Sequence, residues 1–384
     1  QILRLYMLIK EIKAEKILDS RGEYTIKVTV DGVAASSPSG KSTGRYETKP
    51  YNTSLDFAIE EINHLNFNFE IKTFDDLKKV ENFICKKYHF KTARQLGANA
   101  LFALESAILK ALAKSKNKQL WQIVNPKALK FPIPVGNAIG GGMHSLRFKV
   151  HPVFQEFLII PREKTFKDNV KVMHQVYDEI GKTLKTEDKN DEGAWQAPIN
   201  NKEALDVLAK FKDKIRMGLD VASSSFFKKD LYNYKTKTIN RESQIHYMNS
   251  LIENLDIYYL EDPLQEEDFM GFSSIKQKNL VVGDDLTATQ IQRVKEAIKN
   301  KSINAMIIKP NQNGSLLEVK KVFELCKSNN IATILSHRSG ETMDASLADY
   351  AFAFEADFMK CGISTAFREA KLRRMIEIES SLGR

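Results

Sequence analysis

Three carboxylates, Asp220, Glu261 and Asp284, each follow a short apolar run of strand length. The carboxyl ends of the strands in a (β/α)8 barrel open on one face, and active sites are built there. Mg²⁺ prefers oxygen ligands in octahedral geometry and keeps positions open for water or substrate. One such acid could equally cap a helix or pair with a lysine. Three in register favour one shared Mg²⁺ ion in a small-molecule enzyme.

Lys309 and His337 also follow apolar runs, so both belong to the same predicted face. Pro310 favours extended backbone at Lys309, as expected at a strand end. A lysine near other cations and partly out of water has its ammonium form disfavoured, which would lower its pKa. Lys309 could then act as a general base near neutral pH. His337 could equally be a buried histidine that is only hydrogen-bonded.

The elements that must position these groups alternate between short strands and amphipathic helices. Such repetition predicts a parallel sheet, and so many successive strands favour a closed (β/α)8 barrel over an open doubly wound sheet. The predicted strands are residues 154–159, 215–219, 257–260, 280–282, 305–308 and 332–335. The predicted helices between them are residues 202–211, 290–299 and 316–328.

The first part of the chain has an α+β pattern. Residues 24–30 alternate as a strand, and residues 93–116 carry apolar side chains at helical spacing. Two prolines in residues 131–134 cannot continue a helix and end this part. We therefore expect a smaller N-terminal α+β domain over residues 7–130 and a barrel domain over residues 131–384.

Bulk composition excludes several classes of protein. The 384 residues are 42% hydrophobic and 28% charged, which is typical of a folded protein with more than one domain. No apolar run approaches the ~20 residues of a membrane span, and no signal peptide is evident. Cys85, Cys326 and Cys361 lack CxxC spacing. They favour a reducing, cytoplasmic compartment over a disulfide framework or a zinc site.

The basic balance of the chain, with a net charge of +9 and a pI of about 9.1, leaves two interpretations open. The lysines are spread along the chain without an arginine-rich tail or a long basic run, so nucleic acid is not expected as the main partner. The charge could reflect a Lys-, Ile- and Asn-rich composition, or it could attract an anionic substrate.

The motifs of the chain, taken in order, resemble those of enolase, the phosphopyruvate hydratase, of archaeal and bacterial type. Glu261-Asp262-Pro263 is weak by itself, whereas Ser336-His337-Arg338-Ser339-Gly340-Glu341-Thr342 is strong alone. The ordered set covers nearly the whole chain. Its other members are residues 39–44, 96–100, 191–193, 218–224, 283–286 and 309–312.

The resemblance implies reversible dehydration of 2-phosphoglycerate to phosphoenolpyruvate in glycolysis and gluconeogenesis. Lys309 would remove the proton next to the substrate carboxylate, and the resulting enolate would need positive charge to stabilise it. Glu192 would protonate the departing hydroxyl, supported by Glu156. Residues implied in the chemistry are Lys309, Glu192, Glu156 and His337. The implied Mg²⁺ ligands are Asp220, Glu261 and Asp284.

The resemblance also implies a substrate site and a second Mg²⁺ ion. Arg338 and Ser339 would hold the phosphate, for which a guanidinium offers a bidentate fork. Lys360 would lie beside the substrate carboxylate. Ser42 would help to bind the second Mg²⁺ ion, which would arrive with the substrate. The implied substrate contacts are His144, Gln155, Glu156, Arg338, Ser339 and Lys360.

Several positions depart from the enolase pattern. The usual Asn-Pro is missing after Gly22, and Lys41 stands where alanine is common. Pro310 and Asn313 replace apolar residues, and the segment from Ile363 to Phe367 differs and is one residue short. None of these changes removes a predicted ligand, acid or base. Turnover rate, loop dynamics and subunit packing are left open by them.

Two other functions remain as alternatives. One is an enolase-like dehydratase with a different hydroxy-acid substrate, which Arg338, Ser339 and Ser42 disfavour because they fit a phosphate. The other is a non-catalytic binding role, which the retention of Lys309 and Glu192 disfavours. The resemblance further implies a homo-oligomer, either a dimer or a ring of dimers. Residues 1–6 precede a Met that resembles a natural start, so we expect them to be a non-native or disordered extension.

Overall fold

The computed structural model describes residues 6–41 and 44–383, and leaves out the side chain of residue 144. Small sheets and helices of the first part precede a closed eight-stranded barrel. The strands are β1 Met7–Leu8, β2 Ile12–Leu18, β3 Tyr24–Val30, β4 Val33–Ser36, β5 Glu70–Ile71, β6 Ile133–Gly140, β7 Glu156–Pro161, β8 Ile215–Asp220, β9 Phe227–Lys228, β10 Leu231–Asn233, β11 Thr238–Ile239, β12 Tyr259–Glu261, β13 Leu280–Gly283, β14 Ala305–Ile308, β15 Ala332–Ser336 and β16 Phe358–Lys360. The helices are α1 Leu55–Asn63, α2 Leu77–Tyr88, α3 Ala98–Ser115, α4 Leu120–Val124, α5 Phe166–Leu184, α6 Asn201–Ala209, α7 Arg241–Leu255, α8 Phe269–Phe272, α9 Ile291–Lys299, α10 Pro310–Asn313, α11 Leu316–Ser328, α12 Ser346–Ala353 and α13 Ala366–Ser381.

The barrel confirms the predicted (β/α)8-type fold, but the expectation of an all-parallel sheet is wrong for one strand. Strand β7 runs antiparallel to both of its neighbours, β6 and β8. The other adjacent pairs in the barrel are parallel. Because β7 is reversed, its first residue lies where the other strands end. Glu156 accordingly pairs in register with Asp220, the last residue of β8.

Several predicted elements coincide with those of the structure. Strands β3 and β14 and helix α11 have the predicted bounds, and the other predicted elements of the barrel domain shift by one or two residues. Ser315 caps α11 by accepting a hydrogen bond from the backbone N–H of Glu318. Hydrophobic periodicity therefore located most of the elements that carry the candidate site.

Two segments differ from the sequence-based expectation. The predicted helix over residues 93–116 divides at Gly97, whose φ of +112° interrupts it. A Cβ at Gly97 would lie 2.4 Å from the Cα of Tyr51, so only glycine fits this close approach. The prolines near residue 132 were expected only as a break, but Ile133 begins barrel strand β6.

An apolar plug fills the barrel and holds the strand ends in place. Its buried side chains are Val135, Leu158, Ile160, Tyr259, Val282, Ala305, Ile307, Ile334 and Phe358. The first part of the chain reaches the mouth of the barrel, where Ser39 and Gly340 exchange two backbone hydrogen bonds of 2.7 and 2.9 Å. No helix of the described residues has the length and apolarity that a membrane crossing requires. All three cysteines are free thiols.

Candidate active site

The carboxyl ends of the strands surround a cavity of about 690 Å³. Of the residues that the structure describes, eight carboxylate side chains and five lysine or arginine side chains line this cavity, which gives this lining an excess of acid. An anionic substrate would enter such a cavity more easily together with cations. Predicted residues that line it are Gln155, Glu156, Glu192, Asp220, Asp284, Lys309, His337, Arg338, Ser339 and Lys360.

Lys360 ends strand β16 and joins three buried carboxylates. Its Nζ lies 2.8 Å from Glu156 Oε2, 3.2 Å from Asp220 Oδ2 and 2.8 Å from Glu261 Oε2. Burial lowers the pKa of Lys360, but the three carboxylates outweigh it and raise that pKa well above its ordinary value. Lys360 is therefore a fixed positive charge.

Asp220 and Glu261 stand side by side at the ends of β8 and β12, in register with each other. Burial raises the pKa of Asp220, and the nearby Glu156 adds to that rise against the effect of Lys360. Burial and the charge of Asp220 raise the pKa of Glu261 well above its ordinary value. Adjacent buried carboxylates that repel each other in this way are oxygen donors that suit a divalent cation.

Asp284 forms an ion pair with the Nζ of Lys309 and accepts a 3.4 Å hydrogen bond from Gln312 Nε2. Burial would raise the pKa of Asp284, but Lys309 outweighs it and lowers that pKa. Burial and the charge of Arg338 lower the pKa of Lys309, whereas Asp284 outweighs them and raises it. The expectation that the surroundings lower the pKa of Lys309 is therefore wrong for the chain alone.

A second grouping of carboxylates lies next to the predicted one. Asp262, Asp284 and Asp285 have carboxylate oxygens within 4.8 Å of one another, a closeness that no other acid trio among the described residues reaches. Asp262 accepts hydrogen bonds from the backbone N–H groups of Asp284 and Asp285, at 2.9 and 2.8 Å. Asp262 thus shapes the turn that presents Asp284. Lysines, in turn, hold the predicted carboxylates Asp220, Glu261 and Asp284.

Glu156 and Glu192 form a pair of acids on the cavity wall. Burial raises the pKa of Glu156 to about 7; Lys360 acts against this rise and the charge of Glu192 adds to it. Asn137 Nδ2 donates a 3.3 Å hydrogen bond to Glu192 Oε2. The backbone N–H of Glu192 donates to Asn190 Oδ1 at 3.0 Å, which fixes the turn that carries it. The pair can therefore keep a proton near neutral pH.

Arg338 and Ser339 lie on the part of the wall next to residues 39–41. The Arg338 guanidinium donates two hydrogen bonds to Glu47, at 2.9 and 3.2 Å, and both side chains are nearly fully buried. Ser339 Oγ accepts from the backbone N–H of Lys41 at 2.8 Å and from Arg21 Nη1 at 3.3 Å. These contacts fix the Arg338 guanidinium and the Ser339 hydroxyl side by side on the cavity wall, with both terminal nitrogens of the guanidinium hydrogen-bonded to Glu47.

His337 and Gln155 have more limited contacts. Burial lowers the pKa of His337 well below its ordinary value, and the nearby cations Arg368 and Lys360 add to this effect. Its ring is therefore neutral, and its backbone N–H donates to Lys360 O at 2.8 Å. Gln155 Nε2 reaches Asp220 Oδ2 at 3.5 Å. The predictions for Ser42, for the side chain of His144 and for residues 1–5 lie outside the described residues.

Several residues of the cavity were not predicted from the sequence as parts of the site, among them Asp262, Asp285 and Glu47. Asp262 and Asp285 stand next to predicted ligands, and a second acid directly after a strand end was a signal that could have found them. Burial raises the pKa of Asp285 to about 7, with Asp284 adding to it. Glu47 lies in a loop far from Arg338 in sequence, and no local pattern marks it.

A closed barrel with one reversed strand and a cavity lined by lysines and carboxylates at its mouth defines the class of the chain as a barrel protein with a candidate active site at its strand ends. The family model "Enolase, C-terminal TIM barrel domain" matches residues 128–384, and "Enolase, N-terminal domain" matches residues 9–124. The chain belongs to the enolase family, the phosphopyruvate hydratases.

Curated relatives agree with the two family models. The enolase of Picrophilus torridus is 33% identical, over 97% of this chain and 99% of its own. That of Archaeoglobus fulgidus is 33% identical, over 98% of each chain. That of Methanocorpusculum labreanum is 35% identical, over 97% of this chain and 98% of its own. The resemblance recognised in the motifs is therefore confirmed over nearly the full length.

Proposed function

We propose that this chain interconverts 2-phosphoglycerate and phosphoenolpyruvate plus water. The observation that carries the proposal is a single cavity that combines a buried lysine, a pair of acids and an arginine–serine oxyanion site. Lys309, Glu156 with Glu192, and Arg338 with Ser339 all line it. A different hydroxy-acid substrate without a phosphate would leave the oxyanion site unused.

Two of these groups would move protons. Lys309 would take the proton from the carbon next to the substrate carboxylate, while Lys360 would place a fixed positive charge near that carboxylate. The electron pair would form the carbon–carbon double bond as the hydroxyl leaves the next carbon. Glu192 would give that hydroxyl a proton and release water. Glu156, whose pKa is raised to about 7 partly by the charge of Glu192, would share a proton with Glu192, so that the pair holds the proton until then.

The donor set fits the predicted Mg²⁺ ion. Asp220, Glu261 and Asp284 are buried carboxylates at the ends of neighbouring strands, and the excess of acid in the cavity favours added cations. We propose that they hold one ion and that Ser42, with the substrate phosphate, would hold the second. When bound, Mg²⁺ would supply positive charge to the carboxylate as its negative charge grows.

The test is phosphoenolpyruvate formation from 2-phosphoglycerate, followed by ultraviolet absorbance, with Mg²⁺ and with a chelator. We expect Lys309→Ala to lower kcat by about 10²–10⁴-fold, the usual contribution of a positioned base. Lys295→Ala, on the exposed side of α9, is the matched control and should leave kcat unchanged. A purified wild type without metal-dependent activity would refute the proposal. An undiminished rate in Lys309→Ala would refute only the role of Lys309.

Metal binding can be tested without turnover. Mg²⁺ alone should raise the melting temperature of the wild type, because a ligand that binds only the folded state stabilises it. The variant Asp220→Asn should show a smaller rise. An equal rise in both proteins would contradict the proposed ligand set. The two-domain division at residue 130, a cytoplasmic location, a homodimer or ring of dimers, and the minor role of nucleic acid stay predictions.

A further inference from the structure

The backbone at residues 39–41 is hydrogen-bonded to the cavity wall that carries Arg338 and Ser339, which we call the oxyanion side. Besides the two hydrogen bonds between Ser39 and Gly340, the Lys41 N–H donates to Ser339 Oγ at 2.8 Å. A Cβ on Gly40 would lie 2.0 Å from Arg338 Nη2, so this loop approaches the guanidinium as closely as glycine allows. The backbone of Lys41 therefore has a defined position relative to Ser339.

The side chain of Lys41 extends from this anchored backbone to the segment that carries the proposed acid. Its Nζ lies 3.4 Å from Asp191 Oδ2, and Asp191 directly precedes Glu192. Lys41 is about half exposed and lines the cavity, whereas Asp191 is mostly buried. Lys41 thus connects the cavity wall that carries Ser339 to the turn that carries Asp191 and Glu192.

The turn at Asp191 and Glu192 is well suited to transmit this contact. Asn190 Oδ1 accepts hydrogen bonds from the backbone N–H groups of Glu192 and Ala194, at 3.0 and 2.9 Å. Gly193 has a φ of +83°, and a Cβ there would lie 2.8 Å from Ser364 O. Because the turn is closed by its own hydrogen bonds, Asp191 and Glu192 should move as one unit.

We propose that Lys41 is a positioning residue that acts through Asp191 to hold Glu192 in place over the cavity. The role rests on the proposed function, since it assumes that Glu192 donates a proton. Lys41 would link the seating of the phosphate, at Ser339, to the placement of the acid. Proton transfer depends steeply on geometry, so loosening Glu192 would reduce kcat more than substrate affinity.

The test compares kcat and KM in Lys41→Met, Asp191→Asn, the double variant and Lys41→Arg. An ion pair with one half-exposed partner is weak, so we expect kcat to fall about threefold to fivefold in each single variant, with KM within about twofold. The double variant should be no slower than either single one, and Lys41→Arg should recover most of the rate. Lys278→Met is the matched control, since Lys278 Nζ lies 3.4 Å from Asp256 at the surface.

A second readout does not depend on turnover. Hydrogen exchange at the amides of residues 192–194 should be faster in Lys41→Met than in the wild type, and unchanged in Lys278→Met. Two kinetic results would overturn the proposal: a higher KM with an intact kcat in Lys41→Met, which would indicate direct phosphate contact, or additive losses in the double variant. Unchanged exchange in Lys41→Met would overturn it too. If the wild type lacks activity, the proposed function fails while exchange still decides the role of Lys41.

Discussion

Two lysines at the mouth of the barrel, one buried and one partly buried, have the same side-chain chemistry but different surroundings. Lys360 is held by three carboxylates, and its side chain is 4% exposed. Among the described residues, Lys309 forms its ion pair with Asp284, and its side chain is 16% exposed. The neighbouring carboxylates raise the pKa of both lysines above its ordinary value.

The difference shows how one side-chain type can serve two roles. Three carboxylates make the ammonium of Lys360 permanent, as needed next to a substrate carboxylate. At Lys309, burial and the charges of Arg338 and Lys360 oppose the ammonium, and Asp284 is the partner that outweighs them. Asp284 is therefore the main neighbour that keeps the proton on Lys309, with a smaller contribution from Glu261.

The largest expected effect is on stability. Lys360→Met would leave three buried carboxylates without their shared cation, and breaking a buried ion pair costs about 3–5 kcal/mol. Lys309→Met would leave Asp284 with the hydrogen bond from Gln312, so we expect a loss of about 1–3 kcal/mol. Urea denaturation of chelator-treated proteins at neutral pH measures both losses.

Lys295→Met serves as the control for that comparison, because residue 295 is exposed on α9 and should change stability little. Protonation of the carboxylates would limit the loss in Lys360→Met, so the difference should narrow as the pH falls. Equal losses for Lys360→Met and Lys309→Met at neutral pH would contradict the assignment of Lys360 as the more strongly held cation.

The second largest expected effect is on the pH dependence of stability, through the carboxyl group of Glu156 next to Lys360. The pKa of Glu156 is raised from its ordinary 4.5 to about 7, mainly by burial. Between these two values Glu156 itself binds more protons in the folded protein than in the unfolded chain, so this residue makes the free energy of unfolding fall as the pH rises. Glu156→Gln should remove about 2–3 kcal/mol of that fall between pH 4.5 and 7.

Unfolding curves at several pH values test this directly, with Glu187→Gln as a control on an exposed loop. The control should keep the pH dependence of the wild type. A parallel pH profile in Glu156→Gln would show that the proton near neutral pH is not shared by the acids of this wall. Glu156 would then not be the carboxyl group beside Lys360 that titrates near neutral pH.

Much of the site could be predicted because strand ends are visible in the sequence. An apolar run followed by a charged residue located Asp220, Glu261, Asp284 and Lys309 on one face. The rest lacked such a signal. No strand was predicted at residues 358–360, where β16 lies, so Lys360 entered only through the family resemblance.

Strand direction and long-range pairing were also beyond sequence reasoning. A strand's alternation of side chains is the same in either direction, so nothing indicated that Glu156 begins a reversed strand at the active face. The predicted direction of the pKa shift of Lys309 was wrong because Asp284, its nearest partner, was considered only as a metal ligand. Spatial pairing decides the sign of such a shift, and spacing along the chain does not give it.

The smallest expected effect tests that partner. In Asp284→Asn, burial, Arg338 and Lys360 would act on Lys309 without the opposing carboxylate, so its pKa should fall. An amine-reactive label attacks only the neutral amine, so chelator-treated Asp284→Asn should be labelled at Lys309 roughly threefold or more faster than the wild type at about pH 9. Peptide mass spectrometry measures that rate, and Lys360 in the same samples is the internal control, because its own three carboxylates remain. Equal labelling of Lys309 in both proteins would mean that Asp284 does not govern its proton, and the contrast between the two lysines would then rest on burial alone.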